Sequence, residues 1–334
     1  MKGFWVKNNS FIIQSNMNEI FLNKNYTDLI KGLAMLSIVI GHIVQMLIPS
    51  NFLFYKQLLF FLCQINIIFV GCFFFFSGYG NYLSVKKIDS IQGKLLKIFS
   101  KIYRIYFVFG GALILYILLY SLFHSGYSFV NISNFFYFIS TITIPGLTMW
   151  YLKVQVFLYL LFMISVLFFK YSDLISFVFV VISIILAIFF KIPPLWWQTI
   201  LCFPLGIFVA HHLNLFKKNS IPKIKIIIVL LVIFSVLLFF SPNTISRIIM
   251  ALSGTSLVVL ISYFSSPKNA VLEFLGKNSI QLYIYHWVFI SIVRFLDIHV
   301  IFKIIFVIIG ISIILLYPHI KKYYSEHEKF YSKR

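Results

Sequence analysis

The sequence predicts an all-α fold, a polytopic membrane helix bundle with about 10 transmembrane helices and both termini in the cytoplasm. Three observations predict it: the composition, the number of long apolar runs and the distribution of basic residues. Hydrophobic residues make up 61% of the 334 positions, whereas the apolar share of a soluble domain is about half. A net charge of +20 would suggest nucleic acid as the partner of a soluble protein. Here the cations cluster between apolar runs, so membrane lipid is the expected partner and nucleic acid is not.

Ten runs are long and apolar enough to cross a bilayer, since roughly 17–25 apolar residues span about 30 Å of hydrocarbon. The runs cover residues 29–48, 58–80, 102–122, 149–169, 174–190, 195–211, 224–240, 245–264, 279–296 and 300–317. Segment 131–147 is also apolar, but Asn131, Asn134 and the pair Pro145-Gly146 interrupt it. It is therefore expected to be a re-entrant or interfacial piece that other parts of the protein cover.

The basic residues orient these runs. With ten spans, 21 of the 28 lysines and arginines lie on the side that holds both termini, and the long 123–148 loop has none. The positive-inside rule places that side in the cytoplasm. The expected organisation is a cytoplasmic leader at 1–25, an integral-membrane domain at 26–317 and a basic cytoplasmic tail at 318–334. The leader shows no cleavage site for secretion, and either Met1 or Met17 fits the start of translation.

The first apolar run carries a polar stripe. Lys31 and His42 are eleven positions apart, which separates them by about 20° around the helix axis and roughly 16 Å along it. Asp28 lies one turn before Lys31, and Gln45 lies one turn after His42. Ionisable groups inside a membrane are costly and mark a functional site by default. The alternative is a lysine that extends to the lipid headgroups and a histidine that is hydrogen-bonded within the bundle.

Carboxylates are too scarce to support several kinds of chemistry. All eight lie at the ends of apolar runs or between them. They are Glu19, Asp28, Asp89, Asp173, Glu273, Asp297, Glu326 and Glu328. No carboxylate pair is therefore expected in the membrane interior, which argues against glycosidase chemistry and a carboxylate proton relay. A histidine base is the simplest remaining mechanism, because its pKa suits proton transfer near neutral pH.

No metal site and no disulfide framework are expected. Cys63, Cys72 and Cys202 lie in apolar runs without metal-like spacing and are interpreted as buried hydrophobic residues. His211 and His212 are adjacent, and neighbouring positions on a helix do not face each other.

Two further runs carry polar faces. Ser279, Tyr283 and His286 share one helix face, which favours either a site or hydrogen bonds to neighbouring helices. Lys97, Lys101 and Arg104 begin the third run as a cationic strip on one helix face. Such a strip either anchors the helix to anionic lipid or binds a phosphorylated cytosolic substrate, for which the planar fork of arginine is well suited.

Two other runs carry polar or aromatic residues at one end. Ser77 lies among small residues that allow close helix packing, and its hydroxyl could hydrogen-bond across a cleft. Trp150 and Tyr151 are typical of an interfacial aromatic belt. Lys153 is less ordinary, because no acidic residue is near it in the sequence.

In this order, these features resemble the membrane-bound acyltransferase-3 family, the integral-membrane sugar and polysaccharide O-acetyltransferases of bacteria. The motifs that carry the resemblance are Lys31 to His42, Phe73 to Tyr79, Lys101 with Arg104, Trp150-Tyr151-Leu152, and Gly276, Ser279, Tyr283 and His286. Three positions depart from the family pattern. Lysine stands at positions 31 and 101, where arginine is commoner, and Gln155 replaces a glutamate that many members carry.

The resemblance implies an O-acetyltransferase of the bacterial cytoplasmic membrane, with acetyl-CoA as donor substrate and a lipid-linked or polymeric surface glycan as acceptor. It places Arg104, Lys101, Lys31 and Ser77 at the acyl-CoA site and Trp150, Lys153 and Tyr283 on the acceptor side. His42 would be the general base or a transient acetyl carrier, with His286, Lys31 and Asp28 as further catalytic residues and Asp28 paired to Lys31. It implies neither a metal nor a bound cofactor.

Two other functions remain open at this point. The first is a flippase or exporter of a lipid-linked saccharide, in which His42 and His286 would line a polar path. The second and weaker one is a polysaccharide polymerase, which typically has a large outer loop with several arginines. The 123–148 loop of this chain has no basic residue.

Overall fold

The computed structural model describes residues 22, 24–51, 54–123, 132–144, 147–213, 228–229, 231–233, 236, 243–265, 268–294 and 296–331. The described chain is helical apart from one short ladder. The helices are α1 (Lys24–Leu47), α2 (Tyr55–Lys86), α3 (Ile91–Phe123), α4 (Ile132–Thr141), α5 (Trp150–Val166), α6 (Ser172–Phe189), α7 (Cys202–His211), α8 (Thr244–Ser265), α9 (Ala270–Lys277), α10 (Ser279–Arg294) and α11 (Val300–Tyr331). Strands β1 (Thr143–Ile144) and β2 (Leu147–Thr148) pair antiparallel.

The predicted membrane bundle is confirmed in its helical class. Of the described helices, six are long and apolar enough to cross a membrane, namely α1, α2, α3, α6, α8 and α11. Helices α5 and α7 are apolar but shorter. Large side chains such as Phe107 and Phe189 lie exposed on the outside, at 69% and 76%, as expected for surfaces that contact lipid. The count of ten spans and the cytoplasmic termini stay predictions.

The segment predicted as a span at 195–211 is not one continuous helix. A 3-10 turn at Pro194–Trp196 precedes α7, and the ten residues of α7 cover only about 15 Å. Proline lacks the N–H that a continuous helix requires. The indole of Trp197 donates to the Ile192 carbonyl at 2.9 Å and fixes the turn. The run predicted at 224–240 lies mostly outside the described residues, as does the leader at 1–25.

Two short helices complete the described fold. The apolar segment predicted as re-entrant or interfacial, 131–147, holds α4 and β1. Helix α9 was not predicted, although its last residues belong to the Gly276–Ser279 motif. The amide oxygen of Asn269 accepts from the Leu272 N–H at 3.0 Å and so caps the start of α9.

Helix α2 is the centre of the packing. It contacts α1, α7 and α8, while α10 contacts α1, α3 and α11. The buried hydrophobic residues form two clusters. One includes Phe74, Phe162 and Phe203 on α2, α5 and α7, and the other includes Phe109 and Val288 on α3 and α10. Polar residues of α1 and α2 lie between the two clusters, and this is where the cavity described below is found.

Glycines allow α9 to lie directly against α1. A Cβ added to Gly32 would overlap the Leu272 carbonyl, and one added to Gly276 would overlap the Asp28 carbonyl. The two backbones are therefore too close for any side chain at these positions. This contact explains physically why a glycine begins the Gly276–Ser279 motif.

Replacing Gly276 with alanine is expected to lower the free energy of unfolding by about 1–3 kcal/mol, because the methyl group forces two backbones apart. Gly110→Ala is the matched control, since its Cβ would meet only the tip of Ile139 at 3.9 Å and alanine is the better helix former. Thermal unfolding of the purified variants in detergent measures the difference. Equal unfolding temperatures for the two variants would contradict the glycine contact.

Candidate active site

A cavity of about 1030 Å³ runs between α1, α2, α3, α5, α8, α9 and α10. Helix α1 lines it along its length, with Asp28, Lys31, His42 and Gln45 all on the wall. The stripe predicted from helical spacing thus faces one shared space, and Lys31 and His42 border the same cavity. Their chemical roles stay predictions.

One end of the cavity is cationic. Lys31, Lys101 and Arg104 line it, and none of the three forms a salt bridge with a described residue. Lys101 Nζ donates to the side chain of Asn81, to Ser84 Oγ at 3.1 Å and to the Gly80 carbonyl at 3.5 Å.

Lys24 and Lys277 also line the cavity near Asp28, and the other three cations differ in how firmly they are held. The end of α2 fixes the Lys101 ammonium. Lys31 Nζ lies 5.8 Å from the centre of the Phe76 ring. The Arg104 side chain is exposed on the cavity wall. Since none of the three forms a salt bridge with a described residue, this end is suited to a polyanionic ligand.

The predicted pair between Asp28 and Lys31 is not a salt bridge. Asp28 is only 5% exposed, and its Oδ2 atom is buried without a hydrogen-bond partner. The reason is the close approach of α9, which seats the Asp28 backbone against Gly276, while the Lys31 ammonium lies over the Phe76 ring. Asp28 still lines the cavity beside Lys31.

His42 lies further along α1 against aromatic rings. Its ring centre is 4.2 Å from that of Trp287 and 5.5 Å from that of His286, with which it stacks at 18°. Its Nδ1 atom is buried without a hydrogen-bond partner, and the side chain of Gln45 lies beside it. Ring contacts therefore orient this imidazole, in contrast to the carboxylate that usually orients a catalytic histidine.

The His286 ring stacks on the His42 ring. It is fully buried and does not belong to the cavity lining. Its Nδ1 is 2.9 Å from the Leu282 carbonyl, which can only accept, so the proton is on Nδ1. The catalytic role of His286 stays a prediction, and its absence from the cavity lining together with its contact to His42 favours a role in positioning that ring.

Ser77, Tyr151 and Gln155 form a small hydrogen-bonded group on the cavity wall. The hydroxyls of Ser77 and Tyr151 both donate to Gln155 Oε1 at 3.1 Å. Gln155 Nε2 remains buried without a partner, so the group presents an amide donor. Ser77 lines the cavity as expected, but its hydroxyl is already hydrogen-bonded to Gln155. The sequence singled out Gln155 only as a departure from the family pattern and missed this group.

Only some of the residues predicted for the acceptor side line the cavity. Trp150 and Tyr283 line the cavity, but Lys153 does not. Lys153 Nζ donates to Thr143 Oγ1 at 3.1 Å and lies 5.8 Å from the Trp196 ring. The ladder after α4 thus turns this ammonium away from the cavity. Its role on the acceptor side stays a prediction that this geometry does not support.

His211 and His212 converge, contrary to the expectation for adjacent helix positions. Their nitrogens lie 3.1 Å and 3.0 Å from Asp173 Oδ2. The convergence is possible because His212 follows the last residue of α7 and leaves helical geometry, with φ −102° and ψ 34°. The three side chains could together approach a metal ion, and in this structure they join α7 to α6.

Comparison with known protein families identifies the family to which the chain belongs. The family model for the acyltransferase domain of the acyltransferase 3 type matches residues 24–317, nearly the whole described bundle. The chain belongs to this family. It is therefore an acyltransferase with the helices of a multi-pass membrane protein. Neither the curated proteins nor the solved structures give a significant match. The cavity and the motifs that surround it lie within the matched range.

The positioning role of His286 predicts different outcomes for two substitutions. His286→Ala removes the ring that stacks on His42 and is expected to lower kcat for acyl transfer by about 10- to 100-fold, with the KM for the acyl donor unchanged. His286→Phe keeps a ring there and is expected to retain most of the wild-type kcat. Steady-state kinetics of both variants test this. A His286→Phe enzyme with no activity would show that a His286 nitrogen takes part in the chemistry.

Proposed function

We propose that this acyltransferase moves an acetyl group from cytoplasmic acetyl-CoA to a hydroxyl of a surface or capsular glycan on the far side of the bacterial cytoplasmic membrane. The observation that carries the proposal is the single cavity bordered by both Lys31 with Arg104 and His42. A donor that enters at the cationic end can therefore meet an acceptor at the histidine without leaving the protein.

The cationic end suits the nucleotide of acetyl-CoA. Its phosphates would contact Arg104, which can form bidentate hydrogen bonds, and Lys31 and Lys101, which act as point charges. The distance of roughly 16 Å along α1 between Lys31 and His42 would be covered by the thin pantetheine arm. The unpaired amide of Gln155 lies on the wall of the same cavity and can donate to a carbonyl of that arm.

His42 would perform the proton transfer. As general base it takes the proton of the glycan hydroxyl while the hydroxyl oxygen attacks the thioester carbonyl. The new C–O bond forms, the C–S bond breaks, and the CoA thiolate leaves and receives the proton from the imidazolium. In the second route, an imidazole nitrogen attacks the thioester carbonyl, the C–S bond breaks, and CoA leaves as the thiol with the proton lost by the imidazole. The glycan hydroxyl then attacks the acetyl-imidazole, the C–N bond breaks, and the hydroxyl proton returns to the imidazole as the ester forms.

The test combines binding with analysis of the product. Purified protein in lipid nanodiscs is expected to bind radiolabelled acetyl-CoA saturably, and envelope glycans from cells without the protein are expected to lack one acetyl unit in their mass spectra. A protein that binds no acetyl-CoA, but is needed to move a lipid-linked saccharide across vesicles, would overturn the proposal in favour of a flippase or exporter.

A further inference from the structure

The end of the cavity opposite Arg104 is also cationic. Lys56 at the start of α2 and Arg247 at the start of α8 both line it. The Tyr55 hydroxyl donates to the Gln45 carbonyl at 3.5 Å, which places the start of α2 beside the His42 end of α1. Arg247 interacts electrostatically with Cys63, two turns into α2. Both cations are therefore at the histidine end of the cavity.

No carboxylate balances this charge within the described lining, where Asp28 at the other end is the sole acidic side chain. The positive-inside rule does not account for the charge either, because this end is on the predicted outer side, where basic residues are few. Lys56 is exposed, whereas Arg247 is half-buried, and a half-buried cation is costly unless an anion accompanies it. The structure thus leaves two cations here for a ligand to neutralise.

Buried polar atoms without partners line the same cavity. They are Gln64 Oε1, Gln198 Oε1, Thr199 Oγ1 and Arg247 Nε. The first three residues are 2%, 4% and 1% exposed, and all of them line the cavity. An unpaired buried polar group is destabilising, so such a concentration is expected where a ligand supplies the missing hydrogen bonds.

One of these residues, Gln64, is level with the histidine. A Cβ on Gly41, next to His42, would meet the side chain of Asn66. Ser37 Oγ donates to Asn66 Oδ1 at 2.9 Å. Gln64 is two residues from Asn66 on α2, so its amide lies at the height of His42. A ligand that fills this end is therefore beside the imidazole.

We propose that Lys56, Gln64, Gln198, Thr199 and Arg247 form the acceptor subsite, and that the acceptor is an anionic glycan. A carboxylate or phosphate group on the glycan binds the Arg247 guanidinium and the Lys56 ammonium. Sugar hydroxyls donate to the oxygens of Gln64 and Gln198. This inference rests on the proposed acetyl transfer and adds the chemical class of its acceptor.

The variant Arg247→Gln tests the subsite. It is expected to lower acetylation of envelope glycans at least about tenfold, because a hydrogen bond to a charged group is worth about 1.5–3 kcal/mol, and to leave acetyl-CoA binding unchanged. Arg294→Gln is the matched control, since Arg294 is exposed at the end of α10 and does not line the cavity. Arg247→Lys is expected to recover part of the activity. If Arg247→Gln does not fold, Lys56→Gln takes its place.

Wild-type acetylation by Arg247→Gln would overturn the subsite. Loss of acetyl-CoA binding in this variant would overturn it as well, since the arginine would then belong to the donor site.

The chemistry of the product gives a second, independent test. The acetylated sugar unit, identified by mass spectrometry of envelope glycans with and without the protein, is expected to carry a carboxylate or phosphate. Carbodiimide reduction detects the carboxylate, and phosphorus NMR with solvent extraction separates a polymer phosphate from a lipid-linked diphosphate. An acetyl group lost from a neutral glycan would overturn this inference alone. If no acetyl group is lost from any glycan, the proposed function itself fails.

Discussion

Replacing His42 with alanine is expected to lower acetyl transfer by at least about 10²-fold, the usual contribution of a general base, while acetyl-CoA binding stays unchanged. The imidazole is the one titratable group at its end of α1 that faces the cavity, and its Nδ1 is unpaired. The cations that would bind the donor are on other parts of the wall. Transfer of radiolabelled acetyl groups and equilibrium binding, measured on the same purified protein, separate the two effects.

The control for this substitution is His299→Ala, which removes an exposed imidazole that does not line the cavity. It is expected to keep wild-type activity. Full acetylation by the His42→Ala protein would exclude both the base and the acetyl-histidine routes. Equal thermal stability of the two variants in detergent would show that a loss of transfer is not a loss of folding.

The cavity wall on α1 could be predicted because helical spacing is fixed. Once residues 29–48 are helical, Lys31 and His42 must share a face whatever the rest of the chain does. Which neighbouring helix packs against that face is decided by tertiary packing, which helical spacing alone does not predict. Asp28 illustrates this limit, because the approach of α9 at Gly276 determined its surroundings.

The positions of His286 and Lys153 outside the cavity lining could not be predicted for a related reason. Both are polar residues in apolar runs, and hydropathy does not distinguish a side chain on a cavity from one behind it. The stacking of His286 on His42 and the contact of Lys153 with Thr143 join residues far apart in the sequence. The polar atoms of Gln64, Gln198 and Arg247 are brought together in the same way. Lys56 and Arg247 did leave a signal, as basic residues on the predicted outer side.

Replacing Arg104 with alanine is expected to raise the KM for acetyl-CoA by about 10- to 100-fold, since hydrogen bonds to a charged group are worth about 1.5–3 kcal/mol. The effect on kcat is expected to be small. Phosphate contacts remote from the thioester are equally strong in the ground state and the transition state, so their loss weakens binding without slowing the chemical step. Initial rates over a range of acetyl-CoA concentrations measure both constants.

Lys97→Ala distinguishes a substrate contact from attachment to lipid. Lys97 is an exposed cation on the same helix that does not line the cavity, so its removal weakens any interaction with anionic lipid but not donor binding. It is expected to keep the wild-type KM. A donor without the nucleotide, acetyl-pantetheine, completes a thermodynamic cycle: if Arg104 binds phosphate, the wild-type and Arg104→Ala enzymes will use this donor equally well. A similar rise in KM for both donors would show instead that Arg104 maintains the shape of the cavity, and equal effects of Lys97→Ala and Arg104→Ala would favour lipid attachment.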